Sequence, residues 1–392
     1  MKTIRKAVEA FGVGESVLPV KKSILDYDTV ALDEKERALV IIDQTKLPGQ
    51  IKILSLTEIE DIWNAIYLLQ VRGAPAIGVA AAIGIYLESE KIKGKLQGSR
   101  NFEPFYREFK KAKDYLDSSR PTAVNLSWAL NRMEQVVLSN KEKTVDEIVS
   151  LLHDEAVLIR EEDIEVCRQI GEYGLSLVKP GDGLLTHCNA GQLATVRYGT
   201  ATAPMYLGQE RGYHFKIYAD ETRPLLQGAR LTSFELFDAG MDVTLLCDNM
   251  SATAMRNGWI NAVFTGCDRV AANGDTANKI GTSMVALVAK RYHIPVYICA
   301  PTSTIDMDTL TGDQIKIEQR KPEEVTQMWY EKPMAPEGVK VFNPAFDVTD
   351  HDLIAGIITE YGIARPPYKE SLKEIFVKKA IAKTVKKVIK EL

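Results

Sequence analysis

The sequence predicts an α/β protein with a parallel sheet in its second half and a mainly helical first part. Three observations carry this. Short apolar runs recur roughly 20 to 40 residues apart beyond residue 180, and buried parallel strands read as continuous apolar runs of this kind. The segments between them have helical length and pattern. Each run stops abruptly in reactive polar residues, at the strand ends where open α/β sheets bind their ligands.

Before the sheet, Ala38-Leu39-Val40-Ile41-Ile42 reads as a strand closed by Asp43-Gln44-Thr45, a short β-rich start. Helical periodicity continues over Ile59 to Leu69, Phe105 to Leu116 and Val145 to Leu177. Lys179-Pro180-Gly181-Asp182 is a strong break. It divides the chain into a mainly helical N-terminal domain, 1–179, and a sheet domain, 180–392.

The predicted strands then come in order. Gly183-Leu184-Leu185-Thr186 ends in His187-Cys188-Asn189, and Phe215 to Tyr218 in Asp220-Glu221-Thr222-Arg223. Val243 to Leu246 ends in Cys247-Asp248-Asn249, and Ala262 to Thr265 leads to Cys267-Asp268-Arg269. Val296 to Ile298 precedes Pro301-Thr302-Ser303-Thr304, and Val339 to Phe342 precedes Asn343-Pro344. After Pro366-Pro367 a lysine-rich amphipathic helix has Leu372, Ile375, Phe376, Ile381, Val385 and Ile389 on its apolar side, with a solvated basic face.

Composition narrows the function. A chain of 392 residues has a net charge of -4, 45% hydrophobic and 26% charged residues. That balance is ordinary for a soluble globular protein and gives no reason to expect nucleic acid or an anionic membrane as partner. Met1 to Gly14 has charges and no apolar core, unlike a signal peptide. No stretch is long and uncharged enough to span a bilayer; Ala74 to Leu87 is too short. Five cysteines without a CxxC pair suggest neither a disulfide framework nor zinc. The expected location is the cytoplasm.

Several strand ends could do chemistry. Arg72-Gly73-Ala74-Pro75-Ala76-Ile77-Gly78 is a glycine-containing turn opening a helix, which leaves N–H groups for an anion beside an arginine fork; a tightly packed helix start would need the same small residues. Arg120-Pro121-Thr122 is a second helix start. Cys188, above a strand and before a small-residue turn, has the setting of an activated thiol, or of an inert buried one. His187 alternates to the other face. Asp268 leaves a very apolar strand, so burial would raise its pKa and suit a general acid; pairing with Arg269 or capping the next helix is the structural alternative. Asp220 to Pro224 crowds ionisable groups as a surface salt-bridge cluster also would. No dinucleotide fingerprint, P-loop or histidine pair for a metal is present. Cofactor-free chemistry on a phosphorylated metabolite fits best.

Taken together, Arg72 to Gly78, His187-Cys188-Asn189-Ala190-Gly191, Ala219 to Pro224, Cys247-Asp248-Asn249-Met250 and Ala277-Asn278-Lys279-Ile280-Gly281-Thr282 resemble the methylthioribose-1-phosphate isomerase family, from about Asp43 to Pro367. The resemblance implies a helical N-terminal domain, a Rossmann-like C-terminal domain, a homodimer and a step in methionine salvage. It implies Cys188 and Asp268 as the catalytic pair. It assigns substrate binding to Arg72, Gly73, Ala74, Arg120, Gln227, Asn278 and Lys279. The chain departs from the family pattern at Cys267, where alanine is usual, in a longer loop from Ala203 to His214, and in extended ends. Related alternatives are 5-deoxyribose-1-phosphate isomerase, ribose-1,5-bisphosphate isomerase and the non-catalytic regulatory subunits of a translation-initiation exchange factor.

Overall fold

The structure is a computed structural model that describes residues 23–96, 102–120 and 124–391. Met1 to Gly14, Pro121, Thr122 and the side chain of Ile389 lie outside the described residues.

Three antiparallel strands come first: β1 (Val30–Asp33), β2 (Ala38–Ile42) and β3 (Ile53–Leu56). Five helices come next: α1 (Ile59–Tyr67), α2 (Ala74–Lys95), α3 (Phe102–Asp117), α4 (Val124–Ser139) and α5 (Val145–Leu175). The pattern of Ile59 to Leu69 stops at Tyr67, because Leu69 takes a left-handed φ of 60°. Helix α2 is apolar on nearly every face and is buried among the others. Its glycines permit close approach: a Cβ on Gly78 would stand 3.0 Å from the carbonyl oxygen of Asn125 on α4.

Helix α5, 31 residues long, starts in a reciprocal cap. The Thr144 hydroxyl accepts from the Glu147 N–H and the Glu147 carboxylate accepts from the Thr144 N–H. Its first half closes the N-terminal core through Ile148, Val149, Leu152 and Ile159. Its last turns join the sheet core through Ile170 and Leu175. One helix thus serves both cores.

The second half supplies β4 (Gly183–Thr186), α6 (Ala203–Glu210), β5 (Lys216–Asp220), α7 (Ser233–Asp238), β6 (Asp242–Leu246), α8 (Ser251–Arg256) and β7 (Ala262–Thr265). The segment Ala203 to His214, expected as a loop, is mostly helix α6, with Met205, Tyr206 and Leu207 buried against α5 and the sheet. Then come β8 (Arg269–Ala271), β9 (Thr276–Lys279), α9 (Thr282–Arg291), β10 (Val296–Cys299) and β11 (Ile305–Asp306). A short α10 (Glu323–Thr326), β12 (Phe346–Thr349), β13 (Gly356–Thr359), β14 (Gly362–Ala364) and α11 (Tyr368–Glu391) complete the chain.

The large sheet has the order β14-β13-β10-β7-β4-β5-β6, parallel except for β14. Alternation along each strand separates two cores. Leu185, Val263, Ile298 and Ile357 face α8, α9 and α11; Leu184, Phe264, Tyr297 and Ile358 face α5, α6 and α7. Chain order reverses between β4 and β7, the place in an open α/β sheet where a ligand crevice forms beyond the strand ends. A second sheet, β11-β8-β9-β12, stands beyond the end of β7.

Two expectations need correction. Val339 to Phe342 is not a strand; Phe342 is 81% exposed, and flanking prolines at 336 and 344 remove ladder donors. The further parallel strand is β13, whose short run Gly356–Thr359 gives little periodicity to read. On α11 the apolar side is covered only at first. Leu372 and Ile375 are buried, whereas Ile381 and Val385 are exposed. Among the described residues no helix is long and apolar enough to cross a membrane.

Candidate active site

The site grows from the reversal point of the sheet. Strand β4 ends at Thr186, and the next two side chains diverge. His187 turns inward and is fully buried. Its Nδ1 lies 3.0 Å from Asp220 Oδ2 at the end of β5, and its Nε2 donates to the Ile280 carbonyl at 2.8 Å. Asp220 is therefore an interior carboxylate and not part of a surface salt-bridge cluster. Burial pushes it up to about 6, opposed by the histidine. Cys188 turns toward the crevice, half-buried, with a left-handed φ of 65° that is uncommon for a residue with a side chain.

That conformation is held from three directions. The Cys188 N–H donates to Thr222 Oγ1 at 2.8 Å. The Thr232 hydroxyl donates to the Cys188 carbonyl at 2.6 Å. Arg72 reaches over from the start of α2 and donates to the side chain and carbonyl of Asn189, at 2.5 and 3.1 Å. Thr232 ends a π-helical turn, Gly228–Thr232, a geometry common at functional sites. Gly228 makes it possible, since a Cβ there would stand 1.7 Å from the Asp220 carbonyl oxygen. Buried Glu235 accepts from the N–H groups of Gln192 and Leu193, both at 3.0 Å, so the loop after Cys188 is fixed to α7.

Thr222→Val is expected to leave the buried Cys188 N–H without an acceptor, at a cost of about 1–3 kcal/mol. The melting temperature should fall together with the activity that depends on Cys188. Thermal unfolding and a rate assay measure both.

Asp268 lies three residues beyond β7. Strands β4 and β7 are hydrogen-bonded neighbours, with Leu185 beside Val263, so Cys188 and Asp268 leave adjacent strand ends. A Cβ on Gly266 would stand 2.5 Å from the Ala190 side chain, so the two turns touch. The Asp268 N–H donates to the Ala277 carbonyl of β9 at 2.9 Å. Its side chain is solvent-accessible, so the crevice is open, yet the protein around it raises its pKa against Lys279, Arg72 and Arg120. Arg269 pairs instead with Asp306 at 3.4 Å. That excludes the Asp268–Arg269 pair considered from sequence.

Cys188 departs from expectation in one respect. Burial raises its pKa, opposed by Lys279 and Arg72. The chain beyond it forms a turn and the three-residue helix Gln192–Ala194, too short to supply a dipole.

Cations line the same crevice. Arg72, Arg120 and Lys279 have no carboxylate within ion-pair distance among the described residues. Burial lowers the pKa of Arg120, and the neighbouring positive charges of Arg72 and Arg320 lower it further. Lys279 is buried on β9 with its ammonium 4.5 Å from the Phe346 ring centre. Asn278, beside it, donates to Thr282 at 3.0 Å. Like charges held together without counter-charge are the setting for a bound anion.

Gly73 caps the start of α2 at φ 92°, with Pro75 in the first turn, and a Cβ on it would stand 2.4 Å from the backbone of Ala194. Tight packing thus requires Gly73, while Arg72 beside it reaches across to Asn189. Gln227 lies just before the π turn, and its side-chain oxygen is buried without a partner.

His187, Asp220 and Asp248 bring potential metal-binding atoms together. However, both nitrogens of His187 are engaged, and Asp248 accepts from the N–H groups of Thr222 and Arg223 at 2.7 and 2.8 Å. The trio is a hydrogen-bonded brace. Thr222, Thr232 and Glu235 escaped sequence reading as site residues, although the 232/235 spacing places the last two on one helical face.

Comparisons with known proteins identify the family. The initiation factor 2 subunit family matches residues 70–366. A methylthioribose-1-phosphate isomerase of Symbiobacterium thermophilum is 64% identical over 352 residues, covering 90% of this chain and 97% of the relative. A 5-deoxyribose 1-phosphate isomerase of Petrotoga mobilis is 58% identical over 347 residues, covering 88% and 98%. The crystal structure of 5-methylthioribose 1-phosphate isomerase from Pyrococcus horikoshii OT3 matches with a TM-score of 0.84 and 43% identity, covering 89% of this chain and 96% of that one.

Proposed function

The chain belongs to the initiation factor 2 subunit family, and from that premise we propose that it is the aldose–ketose isomerase converting 5-methylthioribose 1-phosphate to 5-methylthioribulose 1-phosphate in methionine salvage. The observation that carries the reading is the meeting of Cys188 and Asp268 at adjacent strand ends among cations without counter-charge. The strand order, 3-2-1-4-5-6 in the parallel part of the large sheet, supports a Rossmann-like domain beginning near residue 180. Exposed Leu245 on edge strand β6 and exposed Phe237 on the adjoining helix α7 support a homodimer.

A sugar with phosphate on its anomeric carbon cannot open freely to an aldehyde. The enzyme must break the C1–O4 bond while keeping the phosphate. Arg72, Arg120 and Lys279 hold the phosphate, with Gly73, Ala74, Gln227 and Asn278 around the sugar. Asp268, its pKa raised toward the protonated form, donates a proton to O4. Cys188 as thiolate takes the C2 proton, and the thiol, after exchanging with solvent, delivers a proton to C1. The enol gives up its O2 proton, which restores the acid form of Asp268, and becomes the ketose 1-phosphate. The base form of Cys188 needs its proton removed first, which Lys279 and Arg72 favour and burial opposes. That opposition gives weight to a second route, in which hydride moves from C2 to C1 and Cys188 remains a thiol.

A panel of ribose 1-phosphates differing at C5 tests the substrate. The 5-methylthio compound should show the highest kcat/KM for ketose formation. A higher value for the 5-deoxy compound would reassign the enzyme to that substrate, and the 5-phosphate should be rejected. No turnover of any member, with the protein instead held in a larger complex, would favour a regulatory subunit.

A further inference from the structure

We propose that His187 is a positioning residue which, clamped by Asp220, sets the distance between Cys188 and the Asn278–Lys279 pair. This rests on the isomerase site described above and assigns a role to a buried dyad that touches no reacting atom.

His187 precedes Cys188 on the β4 end, and its Nε2 donates 2.8 Å to the Ile280 carbonyl, directly after Lys279. One imidazole therefore ties the thiol's strand to the residues that supply the ammonium and the amide. The receiving turn is shaped for the ring. Gly281 has φ 105°, and a Cβ there would stand 2.7 Å from His187 Cε1. Asp347 on β12 secures the turn from behind, accepting from the N–H groups of Gly281 and Ser283 at 2.8 and 3.2 Å. Asp220 holds Nδ1 at 3.0 Å, and its second oxygen is buried without a partner. Both ring nitrogens are thereby engaged, Nδ1 with Asp220 and Nε2 with Ile280. Thr222 links the same strand end to Cys188, because its hydroxyl donates to the Asp220 carbonyl while accepting from the Cys188 N–H.

The chemistry predicts an asymmetry between substitutions at Asp220. In Asp220→Asn the amide can donate to Nδ1, leaving Nε2–H on Ile280, so both bonds survive with a neutral ring. In Asp220→Ala or His187→Phe the clamp is lost. Lys279 then drifts from Cys188, and the thiol loses the cation that favours its ionised form.

The test combines steady-state rates with site-resolved alkylation of Cys188 by iodoacetamide, read by peptide mass spectrometry on the full chain. Asp220→Asn should retain kcat within a few-fold. His187→Phe and Asp220→Ala should lose about tenfold or more in kcat, and Cys188 should alkylate about threefold more slowly at neutral pH, as less thiolate forms. Lys279→Ala should slow alkylation in the same direction. Circular dichroism selects temperatures at which each variant is folded; should His187→Phe not fold, Asp220→Ala carries the test. Unchanged alkylation in the clamp variants, or an Asp220→Asn variant as impaired as Asp220→Ala, overturns the proposal. Alkylation needs no sugar phosphate, so a wrong substrate assignment would leave that readout intact.

Discussion

Asp268→Asn should lower kcat by about 10² to 10⁴-fold and leave KM within a few-fold. The amide has the carboxyl's size and retains no proton to give to O4. Its environment is prepared for an acid: the surrounding protein raises the Asp268 pKa, and three cations limit the rise. That direction fixes the sign of the pH effect. A proton donor is competent below its pKa, so kcat should decline as pH rises through the elevated Asp268 value. That limb should disappear from the residual activity of the asparagine variant. A pH–rate profile of both proteins measures it, and an identical alkaline limb in the two would assign the titration to another group.

Cys188→Ser is expected to cost as much if the sulfur is the base, because a serine hydroxyl ionises far less readily than a thiol. The effect should again fall on kcat, since Arg72, Arg120 and Lys279, the residues proposed to hold the phosphate, are unchanged. Substrate deuterated at C2 decides what the sulfur does. Loss of label to solvent accompanies the enol route, in which the proton visits Cys188. Full retention of label at C1, with only a modest loss in Cys188→Ser, would make the hydride shift the correct account. The raised thiol pKa of the resting enzyme makes this experiment decisive.

Much of this site can be read in the chain, for an identifiable reason. Gly183 to Thr186 and Ala262 to Thr265 are uninterrupted apolar runs, so the strand ends that carry Cys188 and Asp268 are marked by an abrupt change in polarity. Alternation points His187 away from Cys188, and the ring is buried on the other side. The parts that could not be read depend on contacts between distant segments. The bond from Arg72 to Asn189 joins residues 117 positions apart. The Thr222 and Thr232 hydroxyls act on Cys188 only because β5 and the π turn fold beside β4. The thiol's elevated pKa likewise arises from burial by neighbours, where local sequence could not decide between an activated and an inert thiol. At Val339 to Phe342 the apolar content misled, because prolines and exposure decide that segment's backbone.

A crystal structure of the Asp268→Asn variant holding 5-methylthioribose 1-phosphate would test the active-site assignment most directly. The phosphate should rest on Arg72, Arg120 and Lys279, with C2 facing the sulfur of Cys188 and O4 facing the amide at 268. A sugar bound away from the β4–β7 reversal, or one with the sulfur and residue 268 remote from C2 and O4, would contradict it.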